Sequence, residues 1–145
     1  MKDDRLRISV DEGYIKEMGL ATFAFAQLEW NVVWCCERLH SGYISKLDRK
    51  TAGNIAADFL RIARRNRDTC LRRGLIEAGN HFKKLVTLRN GLLHAKPGTD
   101  QDGGQRLFRD GTPWTDTTLK AVADEFTECS IVFNAYIHGA LRPAV

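Results

Sequence analysis

The chain has 145 residues, of which 43% are hydrophobic and 28% are charged, and its net charge is +4. This size and composition fit one globular domain, which we expect to span residues 1–145. The chain contains no run of about 18 apolar residues, the length that a membrane-spanning helix needs. The charged start "MKDDRLRISVDEG" lacks the apolar segment of a signal peptide. We therefore expect a cytoplasmic protein with no membrane partner.

Apolar residues recur at spacings of three and four along four segments, which predicts four helices. Ser9 and Glu12 fit a capping box at the start of the first helix, and Gly139 is typical of a residue that ends a helix. The predicted helices run from about Val10 to Leu39, from about Thr51 to Asn66, from about Leu75 to Ala95, and from Thr115 or Asp116 to Gly139.

The segment between the third and fourth helices is rich in glycine and proline and contains the one candidate strand, "QRLFR". That strand could be half of a small hairpin. We expect Trp114, just before the fourth helix, to be a packing lid rather than a base-stacking platform. The predicted fold is all-α: an antiparallel, up-and-down four-helix bundle with a short loop or β-hairpin insert between helices three and four.

The first helix has a second apolar face, formed by Phe23, Trp30 and Trp34, nearly opposite its main apolar stripe. A lone four-helix bundle has no evident need to bury both faces, and two exposed tryptophans in one patch are unusual on a monomer. We therefore predict a symmetric homodimer. The sequence leaves open whether this face forms the dimer or packs under the insert at 97–114.

The four cysteines argue against a metal centre. They include no Cys-x-x-Cys pair, and the four histidines are dispersed, so the spacing of a zinc site is absent. We expect no metal and no cofactor. The simplest interpretation is that the cysteines are small buried thiols on helices, at Cys35, Cys36, Cys70 and Cys129.

Basic residues are concentrated in the middle of the chain. Residues 61–96 hold ten Lys or Arg and two Asp or Glu, which gives +8, whereas the remainder holds twelve against sixteen, which gives −4. This asymmetry favours a polyanionic partner, although a solvated helix end is the alternative. His81 is expected to be simply exposed. The candidate RNA-binding residues are Arg61, Arg64, Arg65, Arg72, Arg73 and Lys96, with Arg67 in the same arginine run.

The third helix carries polar residues within its apolar face. In the stretch "LVTLRNGLLHAKP", Arg89 falls near the middle of an apolar arc, where a guanidinium is costly unless it is paired or hydrated. Asn90 and His94 share a face at the edge of that arc. Gly91 adds a cost of about 1 kcal/mol relative to alanine. The arc consists of Leu75, Ala78, Phe82, Leu85, Val86 and Leu93.

Two locally unfavourable residues so close together suggest a functional site, because sequences tend to break local rules where function requires it. The alternative is a structural role. Arg89 could extend its head to solvent or pair with Glu29 on the first helix, and His94 could cap the end of the third helix.

In the stretch "RNGLLH" the chain resembles the HEPN (higher eukaryotes and prokaryotes nucleotide-binding) superfamily, whose motif is Arg-x(4–6)-His. The family is similar in architecture, with four or five helices and the motif late in the third main helix. The polar residue after the arginine, here Asn90, is typical of it. A long first helix with an internal glutamate, here "FAQLEWNVVW", and a loop after the histidine are also similar.

This resemblance implies a metal-independent endoribonuclease that cleaves RNA through its 2′-hydroxyl and dimerises so that two motifs face one cleft. Carried onto the matching positions, His94 would transfer a proton, Arg89 would clamp the phosphate, and Asn90 would orient either group. Relatives act in toxin–antitoxin and phage-defence systems, which implies an antitoxin or regulatory protein as a further partner.

The chain departs from the family at one position. HEPN toxins that a nucleotidyltransferase silences commonly carry Tyr two residues after the histidine, where this chain has Lys96, and this argues against that form of regulation. Many HEPN domains are catalytically inert, so the alternative is a non-catalytic module that binds a nucleotide, RNA or a protein. A purely structural helical dimer, with Arg89 in a core ion pair, is the third hypothesis.

Overall fold

The computed structural model describes residues 8–144, and this segment is mostly helical with a small antiparallel sheet. No helix within it is both long enough and apolar enough to cross a membrane. The elements of the described segment are α1 Glu12–Leu39, a short 3-10 helix Ile44–Lys46, α2 Ala52–Ala63, α3 Thr69–Leu93, β1 Lys96–Thr99, β2 Gln105–Arg109, β3 Thr112–Pro113 and α4 Asp116–His138.

The ends of α1 and α4 are set by side chains that satisfy the first free backbone N–H groups. The carboxylate of Asp11 accepts a hydrogen bond from the N–H of Tyr14 at 2.7 Å, so Asp11 is the N-cap of α1. The predicted capping box at Ser9 is therefore wrong. Thr115 caps α4 in a capping box, and α4 ends before Gly139, so both predicted ends of this helix are confirmed.

The link between α2 and α3 is shorter than predicted. The Asn66 amide oxygen accepts from the N–H of Asp68 at 2.9 Å, and the Asp68 carboxylate accepts from the N–H of Leu71 at 3.0 Å. These local bonds replace helical ones and start α3 at Thr69. The predicted start near Leu75 is wrong by six residues, and the predicted α2 end is three residues too late.

Helices α1 and α4 lie side by side and run in the same direction. The Phe25 and Phe126 rings meet edge to face at 5.1 Å, and further along both helices the Asn31 amide donates to the Ser130 hydroxyl at 2.9 Å. Residue numbers thus rise together on the two helices. An up-and-down order would make α1 and α4 antiparallel, so that part of the predicted fold is wrong.

Helix α3 is antiparallel to α1 and α4, whereas α2 is parallel to them. As residue numbers rise along α3, those of the α4 residues beside it fall: Phe82 lies against Phe133, and Arg89 lies beside Phe126. The ends of α1 and α2 lie together at Leu39 and Ile62. This is feasible because residues 40–51, with their 3-10 helix, are long enough to lead the chain back along α1 before α2 begins.

The core is built around five phenylalanines that come from all four helices. Their rings meet at centroid distances between 5.1 and 6.1 Å, mostly edge to face. Such pairs contribute about 0.5–1.5 kcal/mol each beyond the burial of their area. The five are Phe25, Phe59, Phe82, Phe126 and Phe133.

Three cysteines are buried in this core, as predicted. Burial raises the pKa of the Cys35, Cys36 and Cys129 thiols to about 12, which keeps them protonated and unreactive near neutral pH. The prediction is wrong for Cys70, which is exposed. Because α3 begins at Thr69, Cys70 lies in its first turn on the side away from the core.

The segment between α3 and α4 forms a three-stranded antiparallel sheet in the order β1–β2–β3. The predicted strand "QRLFR" is confirmed as β2, and the predicted hairpin is confirmed too, because β2 pairs antiparallel with β1 before it and with β3 after it. Pro97 lies opposite Leu107 on one side, and Phe108 lies opposite Pro113 on the other. The insert is therefore more ordered than its glycine and proline content suggests.

One hydroxyl fastens this sheet to the helices. The Tyr14 hydroxyl on α1 accepts from the N–H of Leu107 at 3.0 Å and donates to the carbonyl of Trp114 at 2.8 Å. The Arg106 guanidinium lies 4.5 Å from the centre of the Tyr14 ring and binds the Asp11 carboxylate at 3.0 Å. Trp114 packs, half-buried, against the core, which confirms its predicted role as a packing lid.

Two glycines of α3 should respond in opposite ways to replacement by alanine. A Cβ on Gly79 would lie 2.7–2.9 Å from the Leu60 and Phe59 side chains, so Gly79→Ala should destabilise the fold by about 1–3 kcal/mol. A Cβ on Gly91 would make ordinary contact with Trp114 at 3.8 Å, so Gly91→Ala should stabilise by about 0.5–1 kcal/mol. Denaturant unfolding of both variants measures this. Equal effects would contradict the close packing of α2 on α3.

Candidate functional site

Arg89 points inward from the last turns of α3, as the helical wheel predicts. Its guanidinium lies 5.1 Å from the centre of the Phe25 ring, and its Nη1 donates to the Asn90 amide oxygen at 3.1 Å. Within residues 8–144 Arg89 forms no ion pair, so direct pairing with Glu29 is wrong. An aromatic face and one amide thus replace part of the water that a guanidinium loses on burial.

Arg89 and Glu29 face one small cavity, of about 110 Å³, between α1 and α3. Burial raises the pKa of Glu29, and the positive charge of Arg89 lowers it, with burial the larger effect. Leu93 also lines this cavity and is 51% exposed, so its predicted place in the core is wrong. The cavity therefore combines a cation, a carboxyl group and apolar surface at the protein boundary.

The cavity is open because α2 is short. Twelve residues of α2 extend about 18 Å, whereas the 28 residues of α1 extend about 42 Å. No residue of α2 lines the cavity. The part of the seam between α1 and α3 that contains Arg89 consequently lies beyond the cover of α2 and meets solvent.

Asn90 and His94 lie one helical turn apart beside Arg89. The backbone N–H of His94 donates to the carbonyl of Asn90 at 3.0 Å, which makes His94 the last capping residue of α3. Its side chain is exposed and forms no hydrogen bond within the described segment. The Asn90 amide holds the Arg89 guanidinium, and the exposed side chain of His94 follows Asn90 by about one helical turn.

Gly91 has no packing role that explains it. A Cβ at this position would touch only Trp114, at the ordinary distance of 3.8 Å. The helix nevertheless bears the cost of a glycine in its last turns, about 1 kcal/mol. Nothing within the described residues requires the missing side chain at Gly91.

The arginine run lies far from the motif. Sixteen residues of continuous helix separate Arg73 from Arg89, which is about 24 Å along the axis of α3. Arg61 pairs with Asp58 at 2.9 Å, and Arg72 donates to the carbonyl of Asn66 at 3.1 Å, so both are held by the protein. The arginines of this run that are exposed and make no hydrogen bond or ion pair within residues 8–144 are Arg64, Arg65, Arg67 and Arg73.

The structure therefore divides the predicted RNA-binding residues into two groups. Lys96, in β1, follows His94 by two residues, and it is exposed. The arginines stand at the opposite end of α3. Sequence reasoning missed Phe25, which lies under Arg89; its spacing of four from Glu29 on α1 was the available signal.

The second apolar face of α1 is largely exposed. Phe23 is 64% and Trp30 is 48% exposed, whereas Trp34 is half-buried against the core with Arg38 5.7 Å from the centre of its ring. The sheet does not cover Phe23 or Trp30. The alternative in which this face packs under the insert is therefore wrong, and the face remains available to a partner.

Comparisons of the chain with models of known protein families, with curated proteins and with solved structures find no match. In the part of the chain that the structure describes, no three His, Cys, Asp or Glu side chains are grouped as ligands for a metal ion. The polar residues near the end of α3 are a cation, an amide and an imidazole, at Arg89, Asn90 and His94. Such a set can hold an anion and transfer a proton near neutral pH.

Replacing Glu29 by Gln should stabilise the protein near pH 7 and have less effect in acid. Because the pKa of Glu29 is raised in the folded state, its ionised form disfavours folding. That penalty is present above the folded pKa and is lost as the pH falls below the unfolded value of about 4.5. Thermal unfolding near pH 7 and near pH 4 measures the difference.

The matched control for this experiment is Glu17→Gln, on the same helix and outside the cavity. It should show no comparable gain near pH 7. A Glu29→Gln protein that is less stable than the unchanged protein near pH 7 would show that attraction to Arg89, and not burial, dominates at Glu29.

Proposed function

We propose that this chain is a HEPN-type, metal-independent endoribonuclease that cleaves RNA through its 2′-hydroxyl. One observation carries the proposal: Asn90 holds Arg89 at an open cavity, and His94, about one helical turn after Asn90, is exposed. In this proposal the four helices form a HEPN bundle, and the sheet is an insert after the motif. The protein acts on RNA in the cytoplasm.

The proposed reaction needs a base, an acid and a positive charge. The neutral imidazole of His94 takes the proton of the 2′-hydroxyl, and the 2′-oxygen forms a bond to phosphorus. The bond from phosphorus to the 5′-oxygen breaks, and that oxygen receives a proton from an acid. The products are a 2′,3′-cyclic phosphate and a free 5′-hydroxyl. Arg89 keeps its charge throughout and stabilises the negative charge on the phosphorane, while Asn90 holds the guanidinium in place.

A homodimer is part of this proposal. One His94 serves as base or acid at a given moment, and the reaction uses both. Phe23 and Trp30 supply an exposed apolar surface on α1, and the neighbours of Phe23 at 22 and 26 line the Arg89 cavity. Two chains joined through this face around a two-fold axis would bring their two motifs to one cleft.

The biological setting we propose is a toxin–antitoxin or phage-defence system, with an antitoxin or regulatory protein as a further partner. Lys96 stands where tyrosine marks the toxins that a nucleotidyltransferase silences. Control of this chain would therefore rest on a partner that blocks the cleft. An RNase whose motif lies at an open seam requires such control, because the site is accessible as soon as the protein folds.

Replacing His94 by Ala should abolish most of the RNA cleavage while the fold persists. Loss of a general acid–base group typically costs about 10²–10⁴-fold in rate. His94 is exposed, so circular dichroism and thermal unfolding should remain unchanged. The unchanged protein should cut total RNA in EDTA and leave 2′,3′-cyclic phosphate ends, which end-labelling identifies.

His138→Ala is the matched control, because His138 is likewise exposed in the last turn of a helix. It should cut RNA at the normal rate. Ends that carry a 3′-hydroxyl, or equal activity of His94→Ala, would refute the mechanism. RNA that is bound and not cut would instead favour the non-catalytic binding module.

Replacing Phe23 by Asp should dissociate the dimer and thereby reduce RNA cleavage. A carboxylate in the centre of an apolar interface loses its water without a partner. Sedimentation velocity at micromolar concentration should show a dimer for the unchanged protein and a monomer for the variant. Ile8→Asp, at another exposed apolar residue outside α1, is the control and should remain dimeric. A monomeric unchanged protein that still cuts RNA would disprove the shared cleft.

A further inference from the structure

A second groove lies between α3 and α4, on the far side of α3 from its packing with α2. Its volume is about 690 Å³, within the range of ligand-binding sites in proteins. Four of the α3 residues that line it, at 73, 77, 81 and 84, follow at spacings of four, four and three, so these four lie on one face of that helix. The principal lining residues are Arg73, Glu77, His81 and Lys84 on α3, and Val132 and Tyr136 on α4.

The groove carries unneutralised positive charge. Arg73 and Lys84 stand near its two ends, and neither forms an ion pair within residues 8–144. Glu77 is the one acidic residue of the lining, so the groove keeps a net positive charge even with His81 neutral. A concave surface with net positive charge attracts an anion more strongly than a flat one does.

The side chain of Tyr136 also lines this groove. The Tyr136 hydroxyl lies against Gly74, where a Cβ of any other residue would overlap it. The absence of a side chain at Gly74 therefore admits the Tyr136 ring between α3 and α4. This hydroxyl makes no hydrogen bond to other described residues, so it is free to donate to a ligand.

We propose that this groove binds the phosphate backbone of an RNA strand, away from the cleaving motif. The choice of RNA rests on the proposed function. From Arg73 to Lys84 the groove follows eleven residues of helix, about 16 Å, which is longer than one phosphate requires. Lys84 lies five residues before Arg89 on the same helix, so the groove extends toward the half of α3 that carries the motif.

Binding of a fluorescein-labelled, single-stranded 2′-O-methyl oligonucleotide tests the groove, because this probe resists cleavage through the 2′-oxygen. Fluorescence anisotropy at several salt concentrations gives the affinity and its salt dependence. Arg73→Gln/Lys84→Gln should reduce the slope of log affinity against log salt by about 1.4, which is two phosphate contacts at about 0.7 each. Glu77→Gln should change affinity in the opposite direction and tighten binding.

Two further variants separate a groove from general attraction by charge. Lys46→Gln/Lys120→Gln removes two exposed charges outside the groove and should leave the slope nearly unchanged. Gly74→Ala alters no charge, yet it should weaken binding because it displaces the Tyr136 ring into the groove. Thermal unfolding of each variant shows whether the fold persists.

The outcomes distinguish this proposal from the proposed function. If both double variants reduce the slope equally, or if the unchanged protein does not bind the probe, the groove proposal is overturned, while His94-dependent cleavage can still stand. If the protein cuts no RNA and the probe binds through Arg73 and Lys84, the groove is a nucleic-acid site without catalysis. Weaker binding for the groove variants alone supports the proposal.

Discussion

The shortness of α2 is the constraint on which the rest of the site depends. A helix of 12 residues cannot cover a seam between helices of 28 and 25 residues, so part of that seam meets solvent. Arg89 occupies this part, where its guanidinium lies over the Phe25 ring and is only partly buried. With a longer α2, the same arginine would be a buried cation without an ionic partner, which is strongly unfavourable.

Glu29 and Arg89 carry opposite charges at this cavity, but they do not form an ion pair. Burial acts on the Glu29 carboxyl group more strongly than the nearby cation does. The Arg89 guanidinium instead lies over the Phe25 ring of α1 and donates to the Asn90 amide oxygen on α3. This arrangement keeps the positive charge available to an external anion at some expense in stability.

The sequence predicted where the helices lie along the chain better than whether neighbouring helices are parallel or antiparallel. The long apolar stripes located α1 and α4; the start of α4 was predicted at Thr115 or Asp116, and Gly139 was predicted to end it, as the structure shows. The start of α3 was missed because Asn66 and Asp68 fix a turn through local bonds that apolar periodicity does not register. The order of the helices was also missed, since a stripe shows which face is buried and carries no information about whether its partner runs parallel or antiparallel.

The parallel pairing of α1 with α4 has a consequence for the way this protein is made. Asn31 and Ser130, whose side chains bond across the two helices, are 99 residues apart in the chain. A nascent polypeptide cannot complete such a core by adding one helical hairpin at a time, because the last helix must return to lie along the first. The surface of α1 that α4 covers therefore stays unburied during synthesis until α4 has left the ribosome.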